Sequence, residues 1–241
     1  MSGHSKWSTI KHKKGATDAK RGKLWTKLLK EVTVAARLGG GDIESNPRLR
    51  MAVDQAKAAN MPKDTYERAI KKGAGGLDGA VYEEILYEAY GPGGVAFLIE
   101  ALTDNKNRTT PEIRSYFAKF GCELGTQGSV SYLFVKQGQI VVEGCAPEEK
   151  LMEIALEAGA DDAVREDDVW IITTAPEAYM SVKDSFDAAG MPILDSKIIN
   201  APSTEIQVPE DKLASFRKLL DLLEDNDDTQ NVWHNAICND V

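Results

Sequence analysis

Residues 20–41 read KRGKLWTKLLKEVTVAARLGGG, and their spacing predicts one amphipathic helix. At about 100° per residue, Leu24, Trp25, Leu28, Leu29, Val32, Ala35 and Ala36 gather on one face. Lys20, Lys23, Lys27, Lys30 and Arg37 gather on a different arc of the same wheel. Gly39-Gly40-Gly41 ends the helix, because the middle of a glycine run adopts positive φ without steric penalty. On the C-terminal side, Asn46-Pro47 is an N-cap followed by proline at the first helical position. The helix it opens directs Leu49, Val53 and Ala56 inward and Arg48, Arg50 and Lys57 to solvent. Met61-Pro62 breaks it. A third helix over 63–72 buries Tyr66, Ala69 and Ile70 and stops at Gly73. Three short helices with complementary apolar faces make a small bundle over residues 21–76. On the N-terminal side, residues 1–20 form a polar, basic arm with Trp7 and Ile10 as its bulky apolar side chains.

Charge divides the chain unevenly. Residues 1–76 hold 17 Lys and Arg against 7 Asp and Glu, a balance of +10. The remainder holds 12 against 31, and the sum is the overall −9. One end is therefore suited to a polyanion and the rest to staying in solution. No window approaches the roughly 18 apolar residues of a membrane span, and Met1 leads into Gly3, His4 and Lys6 rather than an apolar signal core. The cytoplasm is the expected compartment. Cys122, Cys145 and Cys238 are too few and too scattered for a disulfide framework or zinc cage. With three histidines, two of them in the arm, no Ser/His/Asp order suggests catalysis. No enzyme activity, cofactor, metal or small-molecule substrate is expected.

The composition changes at Gly73–Gly79, a glycine-rich linker. Beyond it, residues 82–89 alternate as a strand, Gly91–Gly94 turns, and Val95–Leu102 returns. Thr110-Pro111 caps a helix to about Phe120. Val130–Val135 and Gln139–Val142 read as a strand pair around Gly138. A helix at 147–158, strands near 162–166 and 168–173, and a helix at 176–189 follow. Ile193–Ile199 and Glu205–Val208 read as strands, 210–223 as a helix, and Asn231–Ile237 as a final strand. The fold class is α+β: hairpins interleaved with single helices packed on one sheet face.

The lysine arc and the arm supply candidate phosphate contacts, since neutralising phosphates releases counterions and drives most nucleic-acid affinity. They are Lys6, Lys11, Lys13, Lys14, Lys20, Arg21, Lys23, Lys27 and Lys30, joined by Arg48 and Arg50. Trp7 among these cations either stacks on an unpaired base or folds back onto the bundle. His12 lies beside it. Asn105, Lys106, Asn107, Arg108 and Thr109 form a polar loop running into a helix N-terminus, which is either an anion-binding loop or a capped turn with surface cations. Glu224, Asp225, Asp227 and Asp228 make a dense acidic turn. It lacks the spacing of a calcium loop and reads as a solvated helix-to-strand connection.

Several strings carry a family resemblance. They are Gly3-His4-Ser5-Lys6-Trp7, Lys11-His12-Lys13-Lys14-Gly15, Asp18–Lys23, Val34–Gly41, Asn46–Arg50 and Ala58–Asp64. Thr103–Thr109, Leu223–Asp228 and Asn231–Asn235 continue the match. Across essentially its full length the chain resembles the YebC/PmpR family, which includes the mitochondrial translational activator of cytochrome c oxidase. Trp25 and Trp233 stand where the family pattern has Phe and Tyr, and both keep an aromatic. The resemblance implies an N-terminal three-helix bundle followed by two α+β sandwich domains. The middle one is discontinuous, over 77–129 and 205–241, and the third is inserted over 130–204. It also implies a regulator of gene expression and favours contact by Trp7, with His12 beside it; with no evident dimer seam, a monomer is expected. Two targets follow: ribosomal RNA, with the protein a translation factor that helps difficult sequences and touches basic ribosomal proteins, or promoter DNA. The sequence leans toward RNA, because it offers no evident base-reading helix-turn-helix or dimer seam.

Overall fold

Asn46 shows how the bundle is assembled from local chemistry. The computed structural model describes residues 18–75 and 81–237, with the side chains of 18–20 excluded. Helix α1 (Asp18–Gly39) ends where Gly40 takes φ 85°. Asn46 then caps α2 (Pro47–Ala58): its side-chain oxygen accepts the Leu49 N–H at 3.1 Å. Its amide donates to the Ala35 and Gly40 carbonyls, both at 2.8 Å, so one buried side chain closes both helix ends. Helix α3 (Lys63–Ala74) completes the bundle. Its core joins Leu28, Val32, Ala35, Leu49, Val53 and Ile70, with Trp25 half-buried and donating to the Ala59 carbonyl at 3.1 Å.

Three details depart from the sequence pattern. Leu24 is exposed, whereas Val34 is buried on the side of α1 that carries Lys23, Lys27 and Lys30. Gly73 does not stop α3, which continues to Ala74. It is a close-approach glycine: a Cβ there would lie 2.3 Å from the Thr33 carbonyl oxygen of α1.

The chain then divides into two compact units. The first comprises the bundle with a middle α+β domain, which spans the residues up to Leu133 and those from Thr204 onward. Its sheet contains β1 (Glu83–Tyr90), β2 (Ala96–Thr103) and β8 (Thr229–His234), in the antiparallel order β1-β2-β8. A tight turn at Pro92–Gly94 joins β1 to β2. Helices α4 (Lys106–Ala118) and α7 (Glu210–Asp225) bury Ile113, Phe117, Phe216 and Leu219 against Phe97 and Ile99 of β2. The Phe97 and Phe117 rings meet edge-on at 5.7 Å. Helix α4 begins about one turn before Thr110, because Asn105 supplies the cap, accepting the Arg108 N–H at 3.2 Å, and Pro111 falls inside the helix.

The last expected strand is two. Asn235 interrupts it: its side-chain oxygen accepts the Ala96 N–H at 2.8 Å and its amide donates to the Thr204 carbonyl at 3.2 Å. Beyond it β9 (Ala236–Ile237) pairs in parallel with β7 (Ile206–Gln207).

The second unit runs from Phe134 to Ser203 among the described residues. It holds β3 (Phe134–Glu143), α5 (Glu148–Ala158), β4 (Asp162–Glu166), β5 (Val169–Thr174), α6 (Tyr179–Ala188) and β6 (Ile193–Pro202). The antiparallel sheet has the order β4-β5-β3-β6. A short helical turn, Ser131–Leu133, and one long β3 replace the strand pair expected around Gly138. Gly138 sits within the strand, where a Cβ would lie 2.3 Å from Thr174 Oγ1 and 2.8 Å from the Tyr179 ring. Among the described residues no helix is long and apolar enough to cross a membrane.

The close approach at Gly73 makes a direct prediction. Gly73→Ala should force α3 away from α1 and lower unfolding stability by about 1–3 kcal/mol, as overpacking does, read as a lower urea midpoint. An unchanged midpoint would show that the two helices separate freely there.

Candidate nucleic-acid interface

The lysines of α1 and the acidic turn after α7 carry opposite charge, and the fold brings them together. Lys23, Lys27 and Lys30 follow one another at helical spacing and so share a face of α1. Helix α7 ends at Asp225, where a helix lacks intrahelical donors for its last carbonyls and its dipole is negative. Lys27 Nζ donates to the Glu224 carbonyl at 2.6 Å, and Lys23 Nζ reaches both the Asp225 carbonyl and Oδ1 at 3.3 Å. Lys30 Nζ donates to the Asp227 carbonyl and to Asp228 Oδ1, both at 2.8 Å. The turn itself is shaped by Asn226, whose side-chain oxygen accepts the N–H groups of Asp228 and Thr229 at 2.9 and 3.2 Å.

Asp228 is the centre of the arrangement. It is not the solvated turn residue expected from sequence, for its side chain is only 5% exposed and that of Lys30 14%. Its second carboxylate oxygen accepts from Arg108 Nη2 and Thr109 Oγ1, both at 2.7 Å, and from Thr103 Oγ1 at 3.1 Å. Its backbone carbonyl accepts the Leu102 N–H at 2.7 Å and ties the turn to β2. Burial alone would raise this carboxyl, but the bonds from Arg108, Lys30 and Thr109 outweigh it and hold it far below the usual carboxylate range. Hydrogen bonding to Asp228 first and to Asp104 second raises the Arg108 guanidinium. The candidate anion loop thus holds an anion that belongs to the protein. Asn105 caps α4, Thr109 is buried on the carboxylate, Arg108 bridges Asp104 and Asp228, and Lys106 and Asn107 stay exposed.

The other sequence candidates fall in different places. Lys6, Trp7, Lys11, His12, Lys13 and Lys14 lie outside the described residues. Lys20 lies in the first turn of α1, its side chain likewise outside them, and Arg21 is exposed. Arg48 does not point freely to solvent: it pairs with Glu31 of α1 at 2.7 and 3.1 Å and also with Glu84 at the start of β1. Hydrogen bonding to Glu31, opposed by partial burial, raises its guanidinium further. Arg50 is partly buried on α2. The exposed cations of the bundle include Arg68, Lys71 and Lys72 on α3, which the periodicity did not single out.

A second buried carboxylate, Glu88 on β1, was also missed. It accepts the N–H groups of Gly128, Val130 and Ser131 at 2.7, 2.7 and 2.8 Å and so shapes the loop before β3. Burial would raise it, yet the three backbone bonds prevail and lower it. No pattern in the sequence marks a strand glutamate that turns inward. Among the described residues, no group of three His, Cys, Asp or Glu is placed to hold a metal ion.

Residues 5–76 match the model of the TACO1/YebC protein N-terminal domain, and residues 82–236 that of the TACO1/YebC second and third domain. The chain belongs to the TACO1/YebC family. A relative from Geobacter sulfurreducens, named a probable transcriptional regulatory protein, is 55% identical over 98% of this chain and 95% of its own. One of the same description from Cupriavidus necator is 52% identical over the whole of both chains. The crystal structure of a conserved hypothetical protein from Aquifex aeolicus superposes with a TM-score of 0.83 at 48% identity, covering 93% of each chain.

The Asp228 network sets a pH dependence. Its folded pKa lies below an ordinary value of about 3.9, so its contribution is complete above that value and is lost as pH falls toward the folded one. Asp228→Ala should lower stability near neutral pH by about 3 kcal/mol, and Asp228→Asn by less. Urea titrations in steps down to about pH 3 should show a shallower acid decline in both variants than in the parent. Parallel declines would assign the acid sensitivity to other carboxylates.

Proposed function

We propose that this protein is a cytoplasmic nucleic-acid-binding regulator of gene expression that docks through its basic N-terminal arm and helical bundle. The observation that carries this reading is the balance of +10 over residues 1–76 in a chain whose net charge is −9. Phosphate neutralisation is the use that such a cationic end serves best. Because Lys23, Lys27 and Lys30 already hold the acidic turn, the first encounter falls to Lys6, Lys11, Lys13, Lys14, Lys20 and Arg21. Trp7 and His12 lie among them. The favoured target is ribosomal RNA, with the protein a monomeric, ribosome-associated translation factor that assists difficult sequences. An arm bearing an aromatic suits unpaired bases, and the acidic remainder suits basic ribosomal proteins.

The DNA reading, a transcriptional regulator, keeps two supports. Relatives carry the name probable transcriptional regulatory protein. Helices α2 and α3 are joined across four residues, 59–62, with Arg68, Lys71 and Lys72 exposed on α3, a spacing compatible with a helix-turn-helix.

Crosslinking in cells followed by sequencing of the attached nucleic acid separates the two. Ribosomal RNA is expected; scattered promoter DNA without ribosomal RNA would sink the translation reading. Replacing Lys6, Lys11, Lys13 and Lys14 with Gln should weaken binding by a similar factor on every sequence. The slope of log affinity against log salt should become shallower by roughly 0.7–0.9 for each phosphate that is no longer neutralised. Unchanged affinity would remove the arm from the interface.

A further inference from the structure

The bundle and the middle domain bury separate apolar clusters that share no residue. Ion pairs and hydrogen bonds join them: Lys23, Lys27 and Lys30 to the turn at 224–228, and Arg48 to Glu84. If the lysine clasp opens, Asp228 Oδ1 exchanges ammonium for water while Oδ2 keeps its donors. Asp228 keeps Arg108, Thr109 and Thr103, all from its own domain. The carbonyls at the end of α7 take water in place of ammonium, and lysine ammoniums are strongly hydrated when free. Asp228 retains Arg108 as its counter-ion, so the penalty for orphaning a buried charge is reduced. The turn also offers those ammoniums what a nucleic-acid strand offers, a row of oxygen acceptors at a negative potential: Asp225 Oδ1, Asp228 Oδ1 and three carbonyls.

We infer that the α1 lysine face is a shared polyanion site. It is closed on the protein's own acidic turn in the free state and handed over to a phosphodiester backbone on binding. This rests on the proposed nucleic-acid docking and adds an internal competitor to it. The arm engages first, and the lysines of α1 follow as the turn is displaced. The acidic turn therefore weakens binding and raises its selectivity, because a ligand must outcompete a covalently tethered rival.

The full-length chain tests this with fluorescently labelled single-stranded RNA and duplex DNA of equal length, followed by anisotropy. Asp225→Asn removes an exposed carboxylate that faces Lys23, whereas Glu210→Gln removes an exposed one from the opposite end of α7. Asp225→Asn should tighten binding by about two- to fivefold, the range of one exposed ion pair, while Glu210→Gln leaves it unchanged. Adding Lys23→Gln should abolish the gain. Amine-reactive labelling read by mass spectrometry should show Lys23 and Lys27 slow to react in the parent, faster in Asp225→Asn, and slow again with RNA bound. A gain on RNA alone or on both polymers supports the shared site. Equal effects of Asp225→Asn and Glu210→Gln overturn it while leaving nucleic-acid docking intact. Absence of binding by the parent and every variant defeats the docking reading itself, and the inference falls with it.

Discussion

One carboxylate, that of Asp228, sets the arrangement of the larger unit. It is buried, so each of its oxygens must be matched by a donor, and the donors arrive from far along the chain: Lys30 from α1, Arg108 and Thr109 from α4, Thr103 from β2. Satisfying it draws together the first turn of α4, the turn after α7 and the lysine side of α1. Without those donors the side chain would protonate or turn outward, and the start of β8 would lose its hold on Leu102.

The charge asymmetry of the chain acquires a different meaning in this light. Part of the positive end is neutralised within the molecule. The stripe on α1 that looked like an outward-facing polyanion site is also a clasp between two cores, and Arg48 closes a second ionic link through Glu31 and Glu84. What the sequence presents as an excess of cation is divided between residues that hold the protein's own acidic turn and exposed ones, Arg68, Lys71 and Lys72 among them.

Local periodicity and capping were legible because they depend on neighbours a few residues apart. Asn46-Pro47 announces α2, and Leu28, Val32 and Ala35 announce the inner face of α1. The α+β class followed from strand alternation interleaved with helical periodicity, and the family from long matching strings that start at Gly3. Partnerships across distance were not legible. Lys30 is 198 residues from Asp228, and no wheel shows that a lysine arc will be covered or that Val34 beside it will be buried. Gly73 and Gly138 misled for one physical reason. Glycine marks turns through its φ freedom and close packing through its missing Cβ, and only the neighbouring chain, Thr33 or Thr174, tells which applies.

The pairing of β3 with β6 reaches from the first residue of the inserted unit to almost its last, Phe134 opposite Pro202. The two points where the chain leaves and re-enters the middle domain are therefore neighbours on adjacent strands once that unit has folded. Closing a loop of about 70 residues costs on the order of 4 kcal/mol in chain entropy. The inserted unit absorbs that cost within its own sheet. Once that sheet has formed, the effective loop between Leu133 and Thr204 is short, and pairings distant in sequence cost less chain entropy.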